Sequence, residues 1–367
     1  MRIQNHSLPF GGLFLAALFA PFSGLAQSTA PIPRIELKSG EKIVVPNRFA
    51  TGGVDPIRCD RAGNIYMRPV SGMETSLSGP ILKILSDGSN SVLFDANVVP
   101  ELKEAKEVTI EDFNVSRSGQ VYELLSINDK EGKRSIAVLE FADEGRSASL
   151  TRVDARFLPR QLALFLSGQF LLSGVWKSDP PQGKTGKAAE SEREQKPFIG
   201  IFDRKGKLVQ EVLLPRDVHF DTGPKQDEQR PENLPGTAID LSRTLTGDDG
   251  SIYFLRAGPN PTIYVISPAG EILRYFSIKP PTEHAANPSA FLGAGRLVFD
   301  FYEPRPQETP RTRLIFLVVD AQTGEELWLY EPAKDLFGIP ACYSGQDFTF
   351  LSMTPDRHLA LLRASAR

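Results

Sequence analysis

Two patterns of apolar and polar positions recur along most of this chain. The first is a polar turn with glycine followed by alternating apolar residues, as in DRAGNIY at 60–66 and SRSGQVY at 116–122. It returns around Gly168, Gly250 and Gly295, and without a glycine at 354–360. Glycine supplies the positive φ of a tight turn, and alternation is typical of strands with one buried face. Each copy therefore predicts a β-hairpin.

The second pattern follows the first at a distance and consists of an apolar strand, a polar turn and another strand. Its copies begin near residues 82, 137, 199, 263 and 315. Two hairpins make a four-stranded meander of about 45 to 60 residues, which is the size of a propeller blade. One such sheet cannot bury both of its faces, whereas a radial array of sheets can.

The two ends of the chain predict how the array closes. The last unit has strands at 348–353 and 358–362, and its second hairpin is missing. Residues 34–45 match the second pattern and can complete that blade, which removes the open sheet edge. We therefore predict an all-β, six-bladed β-propeller whose last blade is closed by the N-terminal hairpin. A count of seven stays open because residues 216–233 are unassigned.

The turns at 60–66 and 203–206 make the chain resemble six-bladed β-propellers of the NHL-repeat and TolB-like type. The resemblance covers nearly all of residues 27–367. These turns specify an architecture and no activity, because such propellers include binding modules, scaffolds, lactonases and lyases.

The N-terminal residues have the pattern of a signal peptide. Arg2 precedes an apolar stretch at 10–22, and Gly24 and Ala26 are the small residues of a cleavage site. We predict a signal peptide at 1–26 and one propeller domain at 27–367, located in the periplasm or secreted. An uncleaved N-terminal anchor is the alternative. No later segment is apolar enough to span a bilayer, so no transmembrane segment is expected after cleavage.

Composition and cysteines add two expectations. The formal net charge of −3 gives no basic excess, which argues against a nucleic-acid partner. Cys59 and Cys342 are the two cysteines, and export permits them to form a disulfide between the first and last blades. The predicted strands leave this pairing open, because Cys342 precedes its strand by several residues.

One face of the predicted propeller carries long, variable loops, and function is expected there. The segment 177–196 is rich in Lys, Glu, Gly, Pro and Ser and is predicted to be a flexible insertion. The candidate ligand-binding residues on this loop face are His219, Asp221, Glu283 and His284. Solvated surface side chains are the alternative interpretation.

A second candidate site lies where the innermost strands begin, near the central channel. The predicted ring consists of Asp55, Glu111, Asp240, Asn287 and Asp347. Clustered carboxylates repel one another, and a divalent cation such as calcium relieves that repulsion. Some propeller lactonases resemble this arrangement. Ordinary channel polarity is the alternative, with Arg160 pairing with a neighbouring acidic residue.

These observations favour a monomeric binding or interaction module of the cell envelope, with a protein, peptide or glycan ligand and no required cofactor. No nucleophile elbow, zinc-binding helix or Cys-x-x-Cys pair occurs in the sequence. The sequence leaves open whether the protein is an enzyme, and the lack of a catalytic motif favours a non-enzymatic role. A metal-dependent hydrolase or lyase at the channel mouth is the main alternative, and a structural spacer is the third hypothesis.

Overall fold

The computed structural model describes residues 31–48, 53–70, 79–89, 91–154, 157–176, 197–214, 243–256, 261–281, 286–307, 312–334, 336, 338–356 and 358–366. The predicted signal peptide and the insertion at 177–196 lie outside these residues. The contacts within the chain divide it into residues 1–31 and residues 32–367, and all the strands described below belong to residues 32–367. Among the described residues, no helix is long and apolar enough to cross a membrane.

The described residues are mainly β-strands. In chain order the strands are β1 (Arg34–Arg48), β2 (Gly53–Cys59), β3 (Ile65–Val70), β4 (Ile81–Ile84), β5 (Ser91–Phe94), β6 (Glu107–Val115), β7 (Val121–Asn128), β8 (Arg134–Ala142), β9 (Ser147–Val153), β10 (Phe157–Leu164), β11 (Phe170–Trp176), β12 (Pro197–Phe202), β13 (Leu208–Glu211), β14 (Arg243–Thr246), β15 (Ile252–Arg256), β16 (Thr262–Ile266), β17 (Ile272–Ser277), β18 (Ala286–Gly293), β19 (Arg296–Pro304), β20 (Thr312–Asp320), β21 (Glu326–Pro332), β22 (Ile339–Ser344), β23 (Asp347–Met353) and β24 (His358–Ala366). One short helix, α1 (Pro100–Lys103), and two 3₁₀ turns, Ala96–Val98 and Asp143–Gly145, interrupt them.

The strands form antiparallel meanders. Strands β2–β5, β6–β9, β10–β13 and β14–β17 make four sheets, which we call the first to fourth repeats. An eight-stranded sheet has the order β18-β19-β20-β21-β1-β24-β23-β22. Its two halves are the fifth repeat (β18–β21) and the closing repeat (β22–β24 with β1).

The predicted turn motif has a simple local basis. In DRAGNIY, Asp60 accepts hydrogen bonds from the backbone N–H groups of Ala62 (2.9 Å) and Asn64 (3.0 Å), while Gly63 takes a φ of 79°. Asp203 makes the same pair of bonds to the amides of Lys205 and Lys207. An aspartate that caps its own turn and a glycine with positive φ thus explain why this motif recurs.

The innermost strands of the repeats touch one another in sequence. Strand β2 contacts β6, β6 contacts β10, and the series runs through β14, β18 and β22 back to β2. Each neighbouring pair of repeats shares an apolar cluster. Between the first and second repeats, for example, Phe94 meets Phe141 edge to face at 5.5 Å. The protein is therefore an all-β structure with a propeller-like arrangement.

Strand β1 closes the arrangement, and it corrects the predicted N-terminal hairpin. Residues 34–48 form one strand that runs antiparallel to β24 and, at its start, parallel to β21. Gly40 lies at a register shift between Ser39 and Lys42, and a Cβ on it would lie 3.1 Å from the carbonyl oxygen of Arg363. This glycine therefore permits a close backbone approach within a strand pair.

The closing repeat differs from the prediction at its other end as well. Strand β22 precedes the two predicted C-terminal strands, so three strands come from the C-terminal region and one from the N-terminal region. Proline lacks an N–H group and is tolerated on an edge strand, which is where Pro340 lies. Pro340 breaks the alternation that sequence patterns rely on, so this strand was missed.

Cys59 and Cys342 form a disulfide between β2 and β22, with their Cα atoms 5.8 Å apart. The sequence left this pairing open because β22 was missing from the predicted strands. Cys342 lies within β22 and Cys59 is the last residue of β2. The covalent bond thus joins the innermost strand of the first repeat to the innermost strand of the closing repeat.

Candidate functional site

Five of the six innermost strands, all except β14, share an irregularity at equivalent positions. The pairing register shifts between Val54 and Ile57 in β2, between Ile110 and Asp112 in β6, between Pro159 and Gln161 in β10, between Ala286 and Ser289 in β18, and between Pro340 and Cys342 in β22. Asp55, Glu111, Arg160 and Asn287 of the predicted ring and its neighbours are therefore bulge residues. Bulges of this kind are enriched beside functional sites because they redirect side chains.

Glu111 is the member of the predicted ring whose surroundings the structure describes best. Its carboxylate accepts a hydrogen bond from Ser126 Oγ (2.6 Å) and from the guanidinium of Arg134 (3.2 Å). Arg160 from the adjacent repeat lies 3.8 Å from its other oxygen. Arginine pairing, the alternative that the sequence left open, thus applies to this carboxylate.

The remaining predicted residues are less closely grouped. Asp347 is exposed at the start of β23 and lies opposite Ser344 across the turn, at the end of the sheet away from the bulges. Ala341 occupies the equivalent bulge in the closing repeat. The side chains of Asp55 and Asn287 are outside the described residues, and so are Asp240, His219, Asp221, Glu283 and His284.

The described side chains include no group of three or more His, Cys, Asp or Glu residues placed to hold a metal ion.

Two buried ion pairs join the first and second repeats. Arg58 bonds to Asp112 at 3.2 Å, and Asp112 also accepts the backbone N–H of Leu162 in the third repeat at 2.9 Å. Burial raises the pKa of Asp112, although the Arg58 guanidinium opposes that shift. The Asp112 carboxylate therefore connects the innermost strands of the first three repeats, β2, β6 and β10.

The second pair, Arg68 with Glu123, is completely buried. Arg68 also donates to the carbonyl of Gly79 (2.8 Å) and lies 5.5 Å from the ring centre of Phe113. Burial raises the pKa of Glu123 to about 7 in spite of the arginine. The only sequence signal for this pair was a single charged residue in each of two otherwise mainly apolar strands, β3 and β7.

A cavity lies on the face of the tight turns, where the sequence predicted no site. It is a cleft of about 320 Å³ between the fourth and fifth repeats. Its polar lining consists of Asp248, Asp249, Tyr253, Arg296, Asp320 and Gln322. Leu292 and Ala294 contribute apolar surface. The volume is at the lower end of the range of about 300–1,000 Å³ that is usual for small-molecule sites.

Each carboxylate of this turn-face cleft has a basic partner. Arg117 bonds to Asp248 at 2.5 Å, and Arg274 lies 3.7 Å from Asp249. Arg296 pairs with Asp320. The carboxylates of the cleft are therefore neutralised by arginines, of which Arg296 lines the cleft and Arg117 and Arg274 lie outside its lining.

Hydrogen bonds fix the orientation of these groups. The Tyr253 hydroxyl donates to Asp249 (3.1 Å) and accepts from Arg274 (3.0 Å). Burial, followed by the charge of Asp249, raises the pKa of Tyr253 to about 12. Burial would raise the pKa of Asp320, but bonds from the backbone amides of Thr323 and Gln322 and the nearby Arg296 outweigh it and lower this pKa.

A two-residue turn forms one rim of the cleft. Ala294 and Gly295 join β18 to β19 with φ values of 50° and 70°, and Gly293 pairs with Arg296. Positive φ at both positions is the geometry of a type I′ turn, for which Asn-Gly is the preferred sequence. Alanine is strained there by roughly 1 kcal/mol. Ala294 thus places a small, exposed side chain at a position where Asn or Gly is preferred.

A smaller cavity of about 60 Å³ adjoins the cleft among the innermost strands, and Leu292 lines both. Arg117 belongs to the turn of the second repeat, and Asp248 belongs to the turn of the fourth. Their ion pair therefore connects the second and fourth repeats, which are not adjacent, and lies between the cleft and the small cavity.

No protein-family model matches the chain, and no curated protein sequence does. Solved structures with similar folds include a protein of unknown function from Bacteroides caccae (14% identity, 78% of this chain and 84% of that chain, TM-score 0.40). They also include the Dos1 propeller (9%, 90% and 96%, 0.38) and a mutant of the B. megaterium levansucrase (11%, 82% and 85%, 0.35). At these identities and scores, none of them carries an argument about the function of this chain.

Proposed function

We propose that this chain is an exported six-bladed propeller that binds a small polar ligand in the turn-face cleft. Six blades are supported by the six innermost strands that contact one another in turn. Export is supported by the apolar N-terminal pattern and by the disulfide, because disulfides persist in oxidising compartments.

The single observation that carries the binding role is the cleft itself. It brings polar side chains from two repeats together over a partly apolar floor, and their hydrogen bonds hold them in place before any ligand arrives. Preorganised polar groups in a concave site are typical of ligand binding, since little ordering is left to be done on association.

Two substitutions of one residue test this proposal. Ala294→Asn adds a side chain at the rim, and Asn is compatible with positive φ. Ala294→Gly is the matched control, because it relieves the same strain and leaves the space open. Both variants should be as stable as the wild type or more stable by about 1 kcal/mol or less.

The measurement is a thermal-shift screen of a metabolite and glycan library, followed by calorimetry on each hit. The proposal expects a ligand that binds the wild type and Ala294→Gly and binds Ala294→Asn at least tenfold more weakly. If every hit binds all three proteins equally, the cleft is not the binding site.

A metal-dependent hydrolase remains the second candidate, favoured by the shared bulges at Asp55, Glu111 and Asn287. A cation present at a hundredfold excess over its dissociation constant should add about 2.7 kcal/mol of stability. Thermal unfolding in EDTA and then in calcium tests this, with Asp240→Ala as the variant that should lose the gain. Equal unfolding temperatures with and without the ion would remove this candidate.

A further inference from the structure

The charges around the turn-face cleft balance one another, and this restricts the ligand. We infer that the ligand is a neutral, hydroxyl-rich molecule of the carbohydrate class, an inference that rests on the proposed binding function. The hydroxyl groups of such a ligand would bond to Asp248 and Asp249 and to both members of the Arg296–Asp320 pair.

The pairing argues against a charged ligand. Three carboxylates, those of Asp248, Asp249 and Asp320, face three guanidinium groups. A ligand cation that approaches one of these aspartates also meets the positive charge of its arginine, and a ligand anion that approaches an arginine meets the negative charge of the aspartate. A charged ligand therefore gains little net attraction here and still loses its hydration.

A hydroxyl group avoids this cost because it is both a donor and an acceptor. A carboxylate offers about four lone-pair sites and a guanidinium offers five N–H donors, so each pair has bonding capacity beyond its own contact. At the Arg296–Asp320 pair a ligand hydroxyl can donate to the aspartate and accept from the arginine while the ion pair persists. At Asp248 and Asp249 it can donate to the carboxylate. Hydrogen bonds to charged partners are also about twice as strong as neutral ones.

The accessibility of the paired groups fits this mode of binding. The side chains of Asp248 and Asp249 are 40% and 33% exposed, and those of Arg296 and Asp320 are 32% and 20% exposed. The pairs are therefore open to the cleft on one side and held by the protein on the other. Leu292 and Ala294 supply apolar surface for the C–H groups of a sugar ring.

A ligand series with one skeleton and three charges tests the inference. Glucose, glucuronate and glucosamine, and the disaccharides that contain them, are titrated into the wild type, Ala294→Gly and Ala294→Asn by calorimetry and ligand-observed NMR. We expect the neutral sugars to bind the wild type and Ala294→Gly at least tenfold more tightly than the acid or the amine. Ala294→Asn should bind neutral sugars at least tenfold more weakly than Ala294→Gly.

The outcomes separate the two proposals. If the acid or the amine binds more tightly than the neutral sugar and Ala294→Asn weakens it, the cleft is a ligand site and the inferred ligand class is wrong. If no sugar binds but a ligand of another class binds in a way that Ala294→Asn weakens, the ligand class is again wrong. If no compound of any class distinguishes the two Ala294 variants, the proposed function itself fails.

Discussion

The disulfide between Cys59 and Cys342 should be a major source of stability, because it closes a very long loop. The two residues are 283 positions apart in sequence. In the chain-entropy model, a loop of this length stabilises the folded state by about 5–6 kcal/mol, through restriction of the unfolded chain. With an unfolding entropy of about 2.1 cal/mol/K per residue, the corresponding loss in Tm is about 8 °C.

The perturbation is the double substitution Cys59→Ala and Cys342→Ala, measured by calorimetry and by urea unfolding. The variant should lose about 8 °C in Tm, and its m-value should rise because its unfolded state is more expanded. A reductant should lower the Tm of the wild type by a similar amount and leave that of the variant unchanged.

A loss of less than about 2 °C, a quarter of the expected shift, with an unchanged m-value would refute this reasoning. It would mean that the unfolded chain already keeps β2 and β22 close together without the covalent bond. A reductant effect on the variant would show that the wild-type response has another origin.

Two further predictions concern buried groups. Because burial raises the pKa of Glu123 to about 7, the folded state holds its proton at a pH where the unfolded state has lost it. The free energy of unfolding of the wild type, measured relative to that of Glu123→Gln, should therefore fall by about 3 kcal/mol as pH rises from about 4.5 to above 7. Urea unfolding at a series of pH values measures this difference, and a difference that does not change with pH would contradict the prediction. Gly174→Ala should destabilise by about 1–3 kcal/mol in the same assay, because its Cβ would lie 2.0 Å from the carbonyl oxygen of Leu158. Gly132→Ala, which meets no atom within 4 Å, should lose only about 1 kcal/mol from its positive φ, so equal losses in both would disprove the steric cause.

Local features of the fold were accessible from the sequence, and features that need two distant segments were harder to predict. The turn at Asp60 is specified within seven residues, so its pattern identifies a hairpin wherever it recurs. Gly40 has the same appearance in sequence but lies inside β1, because its role depends on the backbone of Arg363. Strand β22 was missed because Pro340 interrupts its alternation.

The turn-face cleft was difficult to predict from the sequence for a related reason. Asp248 and Asp249 stand in a turn motif, where aspartate is expected for backbone capping alone. Their approach to Asp320 and Arg296 depends on how the fourth and fifth repeats pack together, and no spacing along the chain encodes that distance. Asp55, Glu111 and Asn287 could be aligned from the sequence because each lies at a similar offset before its own turn, but the sequence did not predict the bulges at these positions.

The pairing of β1 with β24 has a consequence for synthesis and folding. Leu37 is matched with Ala366, so β1 is synthesised long before the strand with which it pairs. Contacts this distant in sequence slow folding, and until β24 is made the edge of β1 that pairs with it is open to other chains. A chain truncated before residue 358 should therefore aggregate or be degraded, and chaperones should be needed most in the interval before the last strand is made.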